Sequence, residues 1–182
     1  MRLARVETFQ LRVPPVKDFR WQSLLEPLGS YFVVKLTADD GTVGYGETVP
    51  IKDWGGDHGR QYGETPVTAA HVVHEHLAPI LASEHPFDVG RLHERWDAHV
   101  VGHPYAKAAV DVALYDLAGR KLGVPVHRLL GGWQRERVPI AHMLGILPID
   151  EAVAEASEAA GEGVAAFQVK GGRDPERDEE LI

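Results

Sequence analysis

The sequence predicts an α+β domain, a small three-stranded antiparallel sheet with helices, followed by β-α-β units of a parallel sheet or barrel. Three observations carry this reading. β-Branched and aromatic residues cluster before residue 48 around an Asp39-Asp40-Gly41 turn. Apolar residues then recur at spacings of three and four up to residue 122. After about residue 131 strand-like and helix-like runs alternate, the pattern of parallel strands joined by helical crossovers. The chain has 182 residues, 44% hydrophobic and 25% charged. That length can bury one full core, and the composition excludes a wholly disordered chain.

Each element follows from local chemistry. Leu3, Val6, Phe9, Leu11 and Val13 alternate loosely and stop at Pro14-Pro15, because proline lacks the N–H that a ladder needs. Residues 14–30 hold Phe19 and Trp21 without a period and read as a long loop. Tyr31–Thr37 and Thr42–Glu47 flank Asp39-Asp40-Gly41 as a hairpin. Trp54-Gly55-Gly56-Asp57-His58-Gly59 reads as a second irregular loop. Thr65 then suits a helix N-cap and Pro66 the first helical position, with Val72, His76, Leu77, Ile80 and Leu81 as the apolar face. A short helix is expected over 88–99. The strongest covers 104–122, where Ala106, Ala109, Val110, Ala113, Leu114, Leu117 and Ala118 form one stripe and Gly123 and Pro125 end it. Residues 127–137 lead through Leu129-Leu130-Gly131-Gly132 into a charged stretch, and a domain boundary is placed there. Beyond it Val138–Gly145 reads as a buried strand. Asp150 reads as the cap of a helix over 151–160, Val164–Lys170 as a second strand, and Asp174-Pro175-Glu176 as the start of another helix.

Charge and composition exclude several function classes. With 19 Lys+Arg against 27 Asp+Glu the net charge is −8, and no basic block is present, so nucleic acid is not an expected partner. No apolar run approaches a membrane span, and MRLARVETFQLRVPP lacks the apolar stretch of a signal peptide. A cytoplasmic location is therefore expected. Without cysteine there is no disulfide, thiolate ligand or thiol nucleophile.

Residues 106–131, AKAAVDVALYDLAGRKLGVPVHRLLG, carry a specific pattern. Small residues at 106, 108 and 109, Asp111, Ala113, Asp116, Gly119-Arg120, Pro125-Val126 and Leu129-Leu130-Gly131 stand at the spacing of one signature helix. The segment resembles the mandelate racemase/muconate lactonizing group of the enolase superfamily. Gly44-Tyr45-Gly46-Glu47 and Ala166–Lys170 fall where that family would have them, and the resemblance runs along essentially the whole chain while covering about half of a typical member. It implies an N-terminal capping domain over 1–130, with 131–182 as the first β-α-β units of a truncated (β/α) barrel.

The implied activity is removal of the proton α to a carboxylate in a small carboxylic-acid substrate. The resulting enediolate needs electrostatic stabilisation, and family enzymes use bound Mg²⁺ with a Lys or His base. A lysine acts as a base only where its surroundings disfavour its charged form. By position Lys170 matches the second lysine of the family's Lys-x-Lys pair, an acid/base at the C-terminal end of a barrel strand. Gln168 stands where the first lysine would be, and can hydrogen-bond a substrate but not pair with it ionically. From the residues alone, a polar strand end beside a glycine turn is the better reading of Lys170, and it is the resemblance that favours the acid/base role. The resemblance places the metal ligands on later strands, so Mg²⁺ is expected for the complete enzyme and no metal ligand is assigned within these residues. It also implies that the two early loops close over the barrel mouth, making Trp21, Trp54 and His58 candidate substrate contacts beside Phe19 and Asp57; solvated loops with incidental aromatics remain the alternative. A racemase, epimerase or cycloisomerase is preferred over a hydroxy-acid or acid-sugar dehydratase of the same superfamily. A non-catalytic truncated product or binding module is the rival of a different class, and homo-oligomerisation is left open.

The remaining polar residues read more plainly. His71 and Glu75, four apart, share a helical face that could hold a metal, but with no third ligand at a recognisable spacing a solvated face is the better reading. His103 reads as a loop or cap residue. His142 could line a barrel or satisfy a core hydrogen bond. Asp111 and Asp116 read as salt-bridge partners, Asp116 with Arg120.

Overall fold

The computed structural model describes residues 1–14, 30–51, 63–172 and 174–181. The described residues form two compact units, one of residues 1–14 and 30–133 and the other beginning at Gln134.

In the first unit β1 (Leu3–Arg12), β2 (Ser30–Ala38) and β3 (Val43–Thr48) make an antiparallel sheet in the order β1-β2-β3. The central strand alternates strictly. Phe32, Val34, Leu36 and Ala38 are buried, while Val33, Lys35 and Thr37 turn to the other face. Register follows, with Val34 opposite Thr8 on one side and Gly46 on the other. The hairpin closes as its turn residues dictate: Gly41 at φ +85° donates to the Ala38 carbonyl at 3.0 Å, and the Thr42 amide donates to Asp40 Oδ1 at 2.9 Å. Lys121 donates to the other oxygen of Asp40. That bond, with the Thr42 amide behind it, holds the Asp40 carboxyl well below the usual carboxylate range.

Among the described residues of this unit the helices are α1 (Pro66–Val72), α2 (Ala78–Ser83), α3 (Val89–His99), α4 (Pro104–Leu122) and α5 (Val126–Leu129). Thr65 caps α1 as expected, its hydroxyl accepting from the Thr68 amide at 3.1 Å while Thr68 Oγ1 accepts from the Thr65 amide at 2.8 Å. A π-helical turn, Val73–Leu77, joins α1 to α2. Its cause is Pro79, which has no N–H to offer and whose ring would strike the carbonyl one turn back in a regular helix. The chain widens by one residue, so that the Ala78 amide reaches the Val73 carbonyl. The short α5 was not expected from the sequence, which assigns no element between the Pro125 stop and the charged stretch.

The stripe on α4 does more than fill a core. Gly44 and Gly46 of β3 lie directly on it, and a β-carbon at Gly46 would come 1.9 Å from the Ala109 carbonyl oxygen. Sheet and helix backbones meet because both surfaces are small here. Asp116 reinforces the contact, its Oδ2 accepting from the Tyr45 amide at 2.8 Å and from Arg120 Nε at 2.9 Å. His93 Nε2 and Asp111 Oδ1, 2.7 Å apart, tie α3 to α4. His103 is the N-cap residue of α4, in the left-handed region at φ 54°, and makes no side-chain cap. The buried carboxylate of Glu64 does so instead, accepting from the Tyr105 amide at 2.6 Å and the Ala106 amide at 3.1 Å. A negative charge at this end also complements the helix dipole. Burial, and secondarily Glu64, pushes the Tyr105 phenol up. At the other end Gly123, at φ +68°, closes α4 as expected, with the Val124 amide donating to the Gly119 carbonyl at 2.9 Å.

The second unit holds β4 (Ala141–Leu144), α6 (Ile149–Gly161), β5 (Ala166–Val169) and α7 (Pro175–Leu181), with β4 and β5 parallel. Two sequence expectations need correction. The strand read over Val138–Gly145 is only four residues long, and Val138 and Ile140 are exposed; β4 extends only as far as its one described partner, β5, pairs with it. Asp150 does not cap α6. Pro148 occupies that position, its carbonyl accepting from Ala152 at 2.9 Å, and Asp150 lies in the first turn, where its charge still suits the dipole. Asp174 does act at the start of α7, accepting from the Arg177 amide at 3.3 Å.

Candidate active site

The parallel pair fixes which side chains share a face. His142 lies opposite Phe167, Met143 opposite Gln168 and Leu144 opposite Val169. α6 covers the face that carries His142 and Leu144. His142 Nε2 is 2.7 Å from Glu155 Oε1 on that helix, Leu144 is buried, and so are Ala152 and Ala159 of α6. The period of two along a strand therefore puts Met143 and Gln168 on the opposite face, and Lys170, two residues beyond Gln168, with them. The ladder continues to this point, the Lys170 amide donating to the Leu144 carbonyl at 3.1 Å. Gln168 is exposed and Lys170 half-buried.

The turn after Lys170 is held from α7. The Gly172 amide donates to Asp178 Oδ2, and a β-carbon at Gly171 would come 2.7 Å from the same carboxylate. Arg177 pairs with Asp178 at 3.1 Å and donates to the Leu147 carbonyl, joining this turn to the loop after β4. Asp178 and Arg177 thus position the strand end, and sequence reasoning missed both. Their position in a charged helix, with no motif, gives no signal; only the fold brings position 178 back to 171 and 172.

An amine and an amide two residues apart at the C-terminal end of a parallel strand can hold an oxyanion and move a proton beside it. They cannot by themselves hold Mg²⁺. Among the described residues no three His, Asp or Glu side chains converge on a common point; the donor set does not fit that ion, and no step is assigned through it. Of the other sequence candidates, Trp21, Trp54 and His58, with Phe19 and Asp57, lie outside the described residues. The pairing of His71 with Glu75 does not form. The π turn shifts the helical phase by one residue, so the His71 ring meets His76 instead, with ring centres 5.8 Å apart. His142 satisfies a hydrogen bond to Glu155, one of the two roles left open for it.

This antiparallel sheet with its packed helices, followed by a parallel β-α-β unit, is the frame on which the comparisons bear. Residues 26–131 match the profile of the mandelate racemase / muconate lactonizing enzyme, N-terminal domain, and the chain belongs to that family. It is 30% identical to the N-succinyl-L-Arg/Lys racemase of Bacillus cereus across 100% of its own length and 47% of the relative's. The crystal structure of that racemase superposes on the whole chain with a TM-score of 0.87. Muconate cycloisomerase 1 of Rhodococcus opacus is 35% identical over 85% of this chain and 40% of its own. The cis-3-hydroxy-L-proline dehydratase of Roseibium aggregatum is 31% identical over 98% of this chain and 47% of its own. The chain thus spans about half the length, or less, of these relatives. Racemases and cycloisomerases are among them, in keeping with the expected kind of reaction. Among the described residues no helix is long and apolar enough to cross a membrane.

Proposed function

We propose that this chain supplies the capping domain, over 1–130, and the first two barrel strands, over 131–182, of an enzyme that removes the proton α to a carboxylate. The Lys170 ammonium/amine pair gives or takes that proton, and the Gln168 amide donates a hydrogen bond to a substrate oxygen. The observation that carries the reading is the shared face of Gln168 and Lys170 at the C-terminal end of β5, away from the covering helix α6. Because Gln168 is neutral, it orients the substrate without adding a charge beside the amine, which separates this site from one with two lysines. Trp21, Trp54 and His58 are substrate contacts in this reading. The protein works in the cytoplasm on a small carboxylic acid, and Mg²⁺ belongs to the complete enzyme, held by groups other than the described residues.

Racemisation, epimerisation or cycloisomerisation is the preferred outcome, since the racemase matches over the full chain. The dehydratase match makes loss of water the second reading. The test is α-proton exchange in deuterated water with the complete enzyme, on a panel of N-acyl amino acids, cis,cis-dienedioic acids and hydroxy acids. Lys170→Ala abolishes exchange of the accepted substrate, and Gln168→Ala raises KM more than it lowers kcat. Exchange at the original rate in Lys170→Ala would overturn the assignment and leave the binding-module reading. Formation of an alkene or keto product instead of an isomer selects the dehydratase.

A further inference from the structure

We propose that Asp178, held by Arg177, is a positioning residue for the Lys170 amine, and that residue 171 is glycine to admit its carboxylate. The proposal rests on the reading of Lys170 as the acid/base and adds to it the part of the fold that aims the amine.

The backbone is pinned differently on the two sides of Lys170. Before it the ladder holds: Leu144 pairs with Val169, and the Lys170 amide donates to the Leu144 carbonyl at 3.1 Å. After it come Gly171 and Gly172, the residue type with the widest range of backbone angles. A lysine beside such a turn swings with it unless something outside β5 fixes the turn. Asp178 does so. Its Oδ2 accepts from the Gly172 amide, where the backbone stands at φ +96°, and its Oδ1 lies 3.1 Å from Arg177 Nη1. The same guanidinium donates to the Leu147 carbonyl in the loop after β4. The pair therefore clasps the loops that follow both parallel strands. Its side chains are only 20% and 21% exposed, so salt screens the ion pair less than one on the open surface.

Gly171 reports the same contact. Gly172 needs to be glycine for its positive φ, whereas Gly171 has no such conformation. What a β-carbon at Gly171 would meet is Asp178, with Oδ2 at 2.7 Å, Cγ at 2.8 Å and Oδ1 at 3.1 Å. Those atoms are the far end of a side chain, so an alanine at 171 displaces the carboxylate from the turn and leaves the β5 backbone in place. Asp178 acts through the direction of the Lys170 side chain and not on the substrate. A shift of a reacting group by about 1 Å can cost about a hundredfold in rate.

The test uses the complete enzyme and two readouts: α-proton exchange of the accepted substrate in deuterated water, and amide hydrogen exchange of the peptide over 166–172 by mass spectrometry. Asp178→Ala and Gly171→Ala each lower kcat about ten- to a hundredfold with KM little changed, and the peptide exchanges faster in both. Asp178→Asn keeps an oxygen for the Gly172 amide and restores most of kcat. In the variant carrying both Gly171→Ala and Asp178→Ala the methyl group meets no carboxylate, so it is no slower than Asp178→Ala alone. If Asp178→Ala does not fold by circular dichroism, Gly171→Ala and Asp178→Asn decide, the first slow and the second near the parent. Parental kcat in Asp178→Ala or Gly171→Ala, a rise in KM alone, or losses that multiply in the double variant overturns the proposal. Lys170→Ala, run alongside, separates it from the reading beneath it. An inactive Lys170→Ala beside a fully active Asp178→Ala overturns the positioning role alone, whereas exchange that survives in Lys170→Ala overturns the acid/base assignment and the positioning role with it.

Discussion

Replacing Gly46 by alanine puts a methyl group 1.9 Å from the Ala109 carbonyl oxygen and 2.7 Å from the Ala113 amide nitrogen. Both are helix backbone, so no side chain can swing aside. A β-carbon essentially never comes within 3.0 Å of such an atom, and β3 must therefore part from α4 by about 1 Å. A radial gap of that size forfeits about half of the dispersion attraction across the contact. The face affected carries Ala109, Ala113 and Leu117, all fully buried, and the Tyr45–Asp116 hydrogen bond at 2.8 Å spans it. We expect a loss of about 3 kcal/mol, at the upper end of overpacking costs. Gly90→Ala is the contrast. Nothing lies within 4 Å of a β-carbon there and the residue is helical, so that variant gains about 0.5 kcal/mol through the unfolded state. Urea unfolding followed by far-UV circular dichroism, with the fluorescence of the fully buried Trp96 as a second probe, reads both. A midpoint for Gly46→Ala within about 0.5 kcal/mol of the parent, at unchanged slope, would refute the claim that the two backbones are in contact.

Other expectations follow from the same unit. Glu64→Ala removes the acceptor for the Tyr105 and Ala106 amides and should cost about 1–3 kcal/mol, because a buried and a part-buried donor are left without this partner; Glu64→Gln, which keeps an acceptor, should cost less in the same titration. Thr65→Ala removes the cap of α1 and should cost about 1 kcal/mol, read as a lower thermal midpoint. The Asp40 carboxyl is held below its unfolded range, first by Lys121 and then by the Thr42 amide. Its contribution is thus complete above the ordinary carboxylate range and fades as pH falls through the lowered value. Asp40→Asn should flatten the acid limb of stability against pH, and an unchanged limb would remove Asp40 from the account. Tyr105, pushed up by burial and then by Glu64, works at the other end. Above about pH 10 the unfolded phenol ionises first, so stability falls as pH rises, and Tyr105→Phe should lessen that fall.

The sequence by itself determined the order of elements in the first unit. The β-branched and aromatic run Tyr31–Thr37, the Asp39-Asp40-Gly41 turn, the Thr65-Pro66 start and the Gly123 stop are local signals, each set by the residue's own backbone preference, and they survive into the fold. The stripe of small residues on α4, which carries the family resemblance, was equally legible. Its partner was not. Gly44 and Gly46 read as hairpin residues, and only the sheet-on-helix packing shows that they are small because a helix backbone lies against them. Lys170 and Gln168 were readable as a strand-end pair, but their common face opposite α6 comes from the His142–Glu155 contact and the β4–β5 register, which join residues far apart in the chain. Pro79 was visible in the sequence while its consequence was not. A regular helical period pairs His71 with Glu75, and the π turn needed to accommodate the proline pairs it with His76. Local conformational preference is encoded residue by residue, whereas the phase of a helix after a distortion, and the surface that a small residue admits, depend on what packs against it.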